Sequence, residues 1–217
     1  MGARENILKR IRTARGVGPE PTAAERESTE ARIREHPVGT RPGMDWETVP
    51  RFREQCIRMA STVDDVARIE EVPAAVARYL VDKQLPLRAA AWPEIAALDW
   101  SASGVAVEGR PSTGDDLVGI TGAYLGVAET GTLMFWSSPE TYPATSLLPE
   151  THIAVIAESR IVRTMEDAWQ QARTERGELP RAVNFVSGPS RTADIEGQLQ
   201  LGAHGPYRVH VIVVTGR

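Results

Sequence analysis

The longest weakly charged stretch of the chain runs from Gly119 to Trp136, and Glu129 is its only formally charged residue. Apolar residues on both sides of Glu129 predict two buried extended segments, Tyr124 to Ala128 and Thr132 to Trp136. They meet at a turn that presents Glu129 and Thr130. Gly126 and Gly131 allow close backbone approach or a positive φ there. Helical spacing recurs at Val49, Phe52, Cys56 and Met59, and again at Val72, Val76, Tyr79 and Leu80, with Pro73 suited to a first turn. Further strands are expected over 63–69, 85–91, around Val105 and Val107, and over 152–157, 182–186 and 208–215. Further helices are expected over 93–98 and 161–173. In the last strand Val209, Val211 and Val213 are read as inward-facing, which leaves His210 on the solvated side. Short apolar strands alternating with modest helices predict an α/β fold, an open layered α/β/α sheet.

The N-terminal quarter follows a different pattern. Residues 1–15 predict a short basic amphipathic helix whose apolar stripe is Ile7, Leu8 and Ile11, ended by Gly16 and Gly18. Residues 16–48 are polar and rich in Pro, Glu, Arg and Thr. They read as an arm or exposed strap, with a charged helix over 25–35 that has almost no apolar face. Residues 49–217 then form a single α/β domain.

Composition narrows the function. The 217 residues suffice for one sizeable core, and 41% hydrophobic with 25% charged residues suits a globular chain. A net charge of -4 with a pI near 5.7 leaves no electrostatic footprint for nucleic acid or an anionic membrane. Cys56 is the only cysteine, which excludes an internal disulfide and any all-thiolate iron–sulfur or zinc site within one chain. Its helical spacing marks it as a packed small hydrophobe. The opening residues lack the apolar core of a signal peptide, and no run reaches the length of a membrane-spanning helix. The expected location is cytoplasmic.

Three stretches carry candidate chemistry. In Ser187-Gly188-Pro189-Ser190-Arg191-Thr192-Ala193-Asp194-Ile195-Glu196 an apolar strand empties into a Gly-Pro turn. Hydroxyls and a guanidinium follow, ahead of an expected helix start. Ser190, Arg191 and Thr192, with Gly188 for close approach, suit an anion such as a small carboxylate or phosphate. The structural alternative is that Ser190 or Thr192 caps the helix while Arg191 pairs with Asp194 or Glu196. In Gly202-Ala203-His204-Gly205-Pro206 a histidine held between glycines is placed to act as acid, base or ligand, or simply to bond backbone in a turn. Glu129 is a candidate nucleophile at the mouth of a parallel sheet, able to attack a thioester while the Gly131 or Gly188 N–H stabilises the oxyanion; its alternative role is to accept backbone N–H groups and fix the turn. His152 opens a buried strand and reads as structural. The four histidines have no metal-ligand spacing, so neither a metal nor a cofactor is predicted.

Taken together, Gly119-Ile120-Thr121 with Ala128-Glu129-Thr130-Gly131-Thr132, the 187–196 stretch, the 202–206 turn and Leu148-Pro149-Glu150-Thr151-His152 resemble the lactate-utilisation protein C family, the small LUD-domain proteins. The likeness covers roughly residue 63 to the end. It implies the fold shared by ribose-5-phosphate isomerases, glucosamine-phosphate deaminases and coenzyme A transferases. It further implies a cluster-free subunit of a system oxidising L-lactate to pyruvate beside iron–sulfur and cysteine-rich proteins; a larger family member carries cluster-binding cysteines that this chain lacks. The site expected from these motifs comprises Glu129 and His204 as catalytic groups and Thr130, Gly131, Gly188, Ser190, Arg191 and Thr192 as ligand-binding ones. Asp194 and Glu196 form its supporting network. The alternatives are an acyl-CoA- or phosphosugar-active enzyme and a non-catalytic scaffold, and homo-oligomerisation stays open.

Overall fold

A computed structural model describes residues 2–18, 20–192 and 200–216. The chain forms two compact units, Met1–Met44 and Asp45–Arg217. The first contains α1 (Ala3–Arg15) and α2 (Ala23–Glu35). Their ends are set locally. Glu5 and Glu25 each accept the backbone N–H of the cap residue three positions earlier, and Gly16 closes α1 at φ 64°. The Thr22 N–H and hydroxyl hold the Glu25 carboxyl below its ordinary pKa. Neither helix buries a residue, and Ile7, Ile11 and Ile33 are exposed.

In the second unit the helices are α3 (Thr48–Arg58), α4 (Val72–Asp82), α5 (Pro93–Ala96), α6 (Pro143–Leu147) and α7 (Met165–Arg176). The strands are β1 (Thr62–Val66), β2 (Arg88–Ala91), β3 (Ala106–Gly109), β4 (Val118–Gly122), β5 (Leu125–Val127), β6 (Thr132–Trp136), β7 (Thr151–Ala157), β8 (Ile161–Val162), β9 (Val183–Val186), β10 (Arg191–Thr192), β11 (Gln200–Leu201) and β12 (Arg208–Val214). Six of them build a wholly parallel sheet in the order β1-β12-β7-β4-β2-β3. A second sheet runs β8-β5-β6-β9, and β10 pairs with β11 in a short antiparallel ribbon.

The parallel sheet is buried on both faces, as such sheets require. On one side Val72, Val76 and Leu80 of α4 pack with Ile120, Ile153 and Ile212. On the other, Phe52 and Cys56 of α3 and Leu133 and Phe135 of β6 pack with Ile156, Val211 and Val213. A third cluster joins Leu125, Val127 and Met134 to Ala168 and Ala172, so α7 covers the far side of the second sheet. Each large side chain sealed in this way contributes about 1.5–3 kcal/mol of apolar burial.

Four expectations change. His210 is buried, not solvated: it stacks on Tyr79 with ring centroids 4.0 Å apart and shares a 2.8 Å hydrogen bond with Thr62. In a strand covered on both faces, alternation away from the inward valines leads to the other core. Residues 161–162 are β8, and the helix after them starts behind Thr164, whose hydroxyl accepts the Asp167 N–H. Glu129 lies in the turn between the antiparallel β5 and β6 of the second sheet, and follows no strand of the parallel one. Arg191 and Thr192 lead into a β-ribbon rather than a helix start. Asp194 and Glu196 lie outside the described residues.

Candidate functional site

The three motifs converge at the C-terminal end of α3. Gly131 has φ 65°, and a Cβ there would collide with Gln55 and the Cys56 backbone N. Gly188 has φ 72°, and a Cβ there would run into the Met59 carbonyl. Both glycines are therefore required by position as well as by backbone conformation. The two turns are also tied directly. Thr130 and Thr132 hydroxyls bond at 2.7 Å, and Thr132 bonds onward to the Ser187 hydroxyl. The Arg191 guanidinium donates to the Met59 carbonyl at 3.0 Å. Ser190 joins the third motif: its N–H donates to Pro206 O at 2.7 Å, and its carbonyl accepts the Gly202 N–H at 2.9 Å.

Within this assembly Thr130, Arg191 and His204 are exposed, while Glu129, Ser190 and Thr192 are half-buried. The Glu129 N–H donates to Arg163 O, which fixes the turn by its backbone. The arrangement gathers one guanidinium and a chain of hydroxyls over α3, a set suited to a small anion, while the exposed His204 side chain has no contact that joins it to them among the described residues. Cys56 plays no part in such chemistry. It is buried, points its sulfur at Gly131 O at 3.6 Å, and burial pushes its thiol up to about 12.

The expected residues do not include a second polar region, at the carboxyl ends of the parallel strands. Two adjoining clefts of about 480 and 340 Å3 open there and share Glu94, Ala123 and Arg160. Trp92 and Glu94 follow β2, and Ala123 follows β4 as the chain leaves one sheet for the other. Tyr124, Trp136, Thr141, Glu175 and Arg176 complete the larger cleft. Arg160 is held by two bonds to Glu175, at 2.8 and 2.9 Å, and by a 3.1 Å bond to the Tyr124 carbonyl. Tyr124 donates its hydroxyl to Glu175 at 2.7 Å. This network holds the Glu175 carboxyl far below its ordinary pKa, the Arg160 pair first among the causes. Glu94 moves the opposite way: crowding by neighbouring atoms, then the charge of Glu140, raises its pKa. Its carboxyl lies over Gly122, in the space a Cβ at that position would take. The sequence signal that would have found this cleft is the pair of residues following the apolar runs of β2 and β4.

The two buried histidines belong to the core. His152 bonds Thr121 through Nε2 at 2.8 Å, while its Nδ1 and the His210 Nε2 have no partner among the described residues. Burial lowers His152 to about 3 and His210 to about 4, so both are neutral at physiological pH. Among the described residues no group of three His, Cys, Asp or Glu is placed to hold a metal ion, and no helix is long and apolar enough to cross a membrane.

This geometry has known relatives. A family model for the LUD domain matches residues 94–214. Lactate utilization protein C of Exiguobacterium sp. is 32% identical over 222 residues, covering 97% of this chain and 95% of that one. The chain belongs to the LUD-domain family. Lactate utilization protein C of Geobacillus sp. (strain WCH70) is 44% identical over 103 residues, 46% of this chain, and that of Shouchella clausii is 44% identical over 102. These two alignments span 43% and 44% of the relatives' own lengths, less than half of each. A crystal structure of a DUF162 family protein from Deinococcus radiodurans superposes with a TM-score of 0.59 at 25% identity, covering 80% of this chain and 99% of that one. The LUD match spans the three motif turns and, apart from Trp92, the residues of the larger cleft.

Proposed function

We propose that this LUD-domain chain serves lactate utilisation as a cluster-free, cytoplasmic component of a system that oxidises L-lactate to pyruvate. The observation that carries this reading is the end-to-end relationship to a lactate utilization protein C. Converting lactate to pyruvate removes two electrons and two protons. A chain whose single cysteine is buried and un-ionised holds no thiolate set for an iron–sulfur cluster. The electrons therefore pass to iron–sulfur and cysteine-rich partner proteins, and this chain contributes the carboxylate site. Arg191, with Thr130, Ser190, Thr192 and the backbone at Gly131 and Gly188, holds the anion, and Glu129 and His204 stand beside it as acid–base groups.

The test is calorimetry of the wild type and Arg191→Ala against lactate, pyruvate, inorganic phosphate and coenzyme A. Binding of lactate or pyruvate that weakens at least about tenfold in the variant, a loss of about 1.4 kcal/mol, supports the site. No binding of any of the four removes it. Deleting the gene and restoring it during growth on L-lactate tests the role separately from the site. Exposed Ile7, Leu8 and Ile11 on α1 favour a second reading, a scaffold whose N-terminal unit engages the partners. Equal recovery of iron–sulfur partners by the full chain and by a chain lacking residues 1–44 rules that reading out.

A further inference from the structure

The larger cleft stands apart from the motif turns and has its own topological reason to exist. After β2 the chain moves outward to β3; after β4 it moves the other way, to β7 and β12. The crevice outside the carboxyl ends of β2 and β4 is therefore the point where the winding of the sheet reverses, and ligands of open α/β sheets bind at such points. Glu94 and Ala123 border that crevice, one from each strand end.

Its size and lining indicate what it takes. A cleft of about 480 Å3 falls in the range that holds drug-sized ligands, and a three-carbon acid would leave most of it to water. The half-buried Trp136 presents aromatic surface, with its ring centroid 5.5 Å from that of Tyr124, whose own ring is already covered by the Arg160 and Arg176 guanidinium groups at 4.9 and 5.1 Å. Arg160 is fixed by Glu175 and by the Tyr124 carbonyl, so it stiffens the wall. The Arg176 guanidinium lies 5.1 Å from the Tyr124 centroid and pairs with no carboxylate among the described residues. It is the cation available to an incoming anion. Glu94 has no hydrogen-bond or ion-pair partner among the described residues, and the missing Cβ of Gly122 leaves room for its carboxyl at the cleft wall. An acceptor set there suits the hydroxyls of a sugar or the amino group of a base.

We propose that this cleft binds a ligand of the nucleotide class, a flat ring and ribose joined to a phosphate. Arg176 meets the phosphate, Trp136 meets the ring, and Glu94 accepts from the ribose or base, while Tyr124 supports Arg160 and Arg176 from beneath. The site is separate from the carboxylate site of the motif turns and does not depend on the lactate reading.

The test is calorimetry of the full chain with AMP, adenosine, ribose 5-phosphate and inorganic phosphate. AMP is expected to bind at least about tenfold more tightly than any of the other three, because each lacks part of the recognised set. Arg176→Ala is expected to bring AMP down to the level of adenosine while leaving adenosine unchanged, a readout that a merely structural arginine would not give. Glu94→Ala is expected to weaken AMP and adenosine alike, again at least about tenfold, and to spare inorganic phosphate. A thermal melt of each variant confirms folding. No AMP binding at millimolar concentration overturns the proposal, as does equal binding of AMP and phosphate. Loss of AMP binding in Arg191→Ala but not in Arg176→Ala would move the ligand to the motif turns and also overturns it.

Discussion

The two sheets of the second unit handle their polar residues in opposite ways. The parallel sheet seals its polar groups inside: His152 and Thr121 face one core, and His210 stacks on Tyr79 in the other. The second sheet places its polar groups at its ends, where Thr130, Thr132 and Ser187 tie one turn to the next over α3. In the first, polarity is tolerated because each histidine is neutral and bonded to a threonine. In the second, polarity fixes the geometry of loops that remain reachable by a ligand. The open cleft lies where the chain crosses from one sheet to the other, at Ala123 and Tyr124. The difference teaches that a hydrogen bond sealed between strands and one that links two turns serve different ends, the first stability and the second placement.

The largest test of this contrast is acid. In the unfolded chain both histidines titrate near 6.5, and in the folded chain near 3 and 4. The unfolded state therefore binds more protons between these values, and stability falls as pH falls. The stabilisation is complete above pH 6.5 and drains away from there towards pH 3–4. The total loss is on the order of several kcal/mol. Denaturant midpoints measured from pH 7.5 to pH 4 check it. A flat profile would place the histidines in contact with solvent and erase the difference between the sheets.

Next comes Gly188→Ala. The new methyl meets the Met59 carbonyl at a φ that alanine resists, and the cost is about 3 kcal/mol. For a chain of this size that is a drop of roughly 6–12 °C in melting temperature. An unchanged melt would mean that the turn is not pressed against α3. Thr132→Val is smaller, about 1–2 kcal/mol, because it cuts the hydroxyl chain and leaves Ser187 short of a partner. Arg191→Ala is smallest in stability, below about 1 kcal/mol, since its bond to Met59 O is exposed. Its expected effect on carboxylate binding is much larger than its effect on the melt. Equal effects on both would reduce Arg191 to a strut.

Much of the fold was legible because the pattern was local. Val72, Val76, Tyr79 and Leu80 announce α4 at the spacing of a helix face, and Pro73 marks its start. The run at 208–215 announces β12 by its length of apolar, β-branched residues. His210 was not legible, since alternation identifies an inside and an outside only when one face is wet. The second sheet was hidden for a related reason: a short apolar run looks the same whichever sheet it joins. Of the candidate site, the motif turns could be read because glycines and hydroxyls sit next to one another in sequence. Glu94, Arg160 and Arg176 could not be read as one site, because they come from α5, the short turn after β7 and the end of α7, widely separated along the chain.

By itself the sequence determined most of the helices and the strands of the parallel sheet, the buried faces of α3 and α4, the unreactive cysteine and the turns that demand glycine. These depend on backbone conformation and on periodicity, both of which act over a few residues. The tertiary structure decided which strands share a sheet, that His210 lies in a core, and that two motif turns press on the end of α3 with the third tied to them through Ser190, while a separate cleft opens at the strand ends. Those outcomes come from pairing and packing between distant segments, and no short-range preference encodes them.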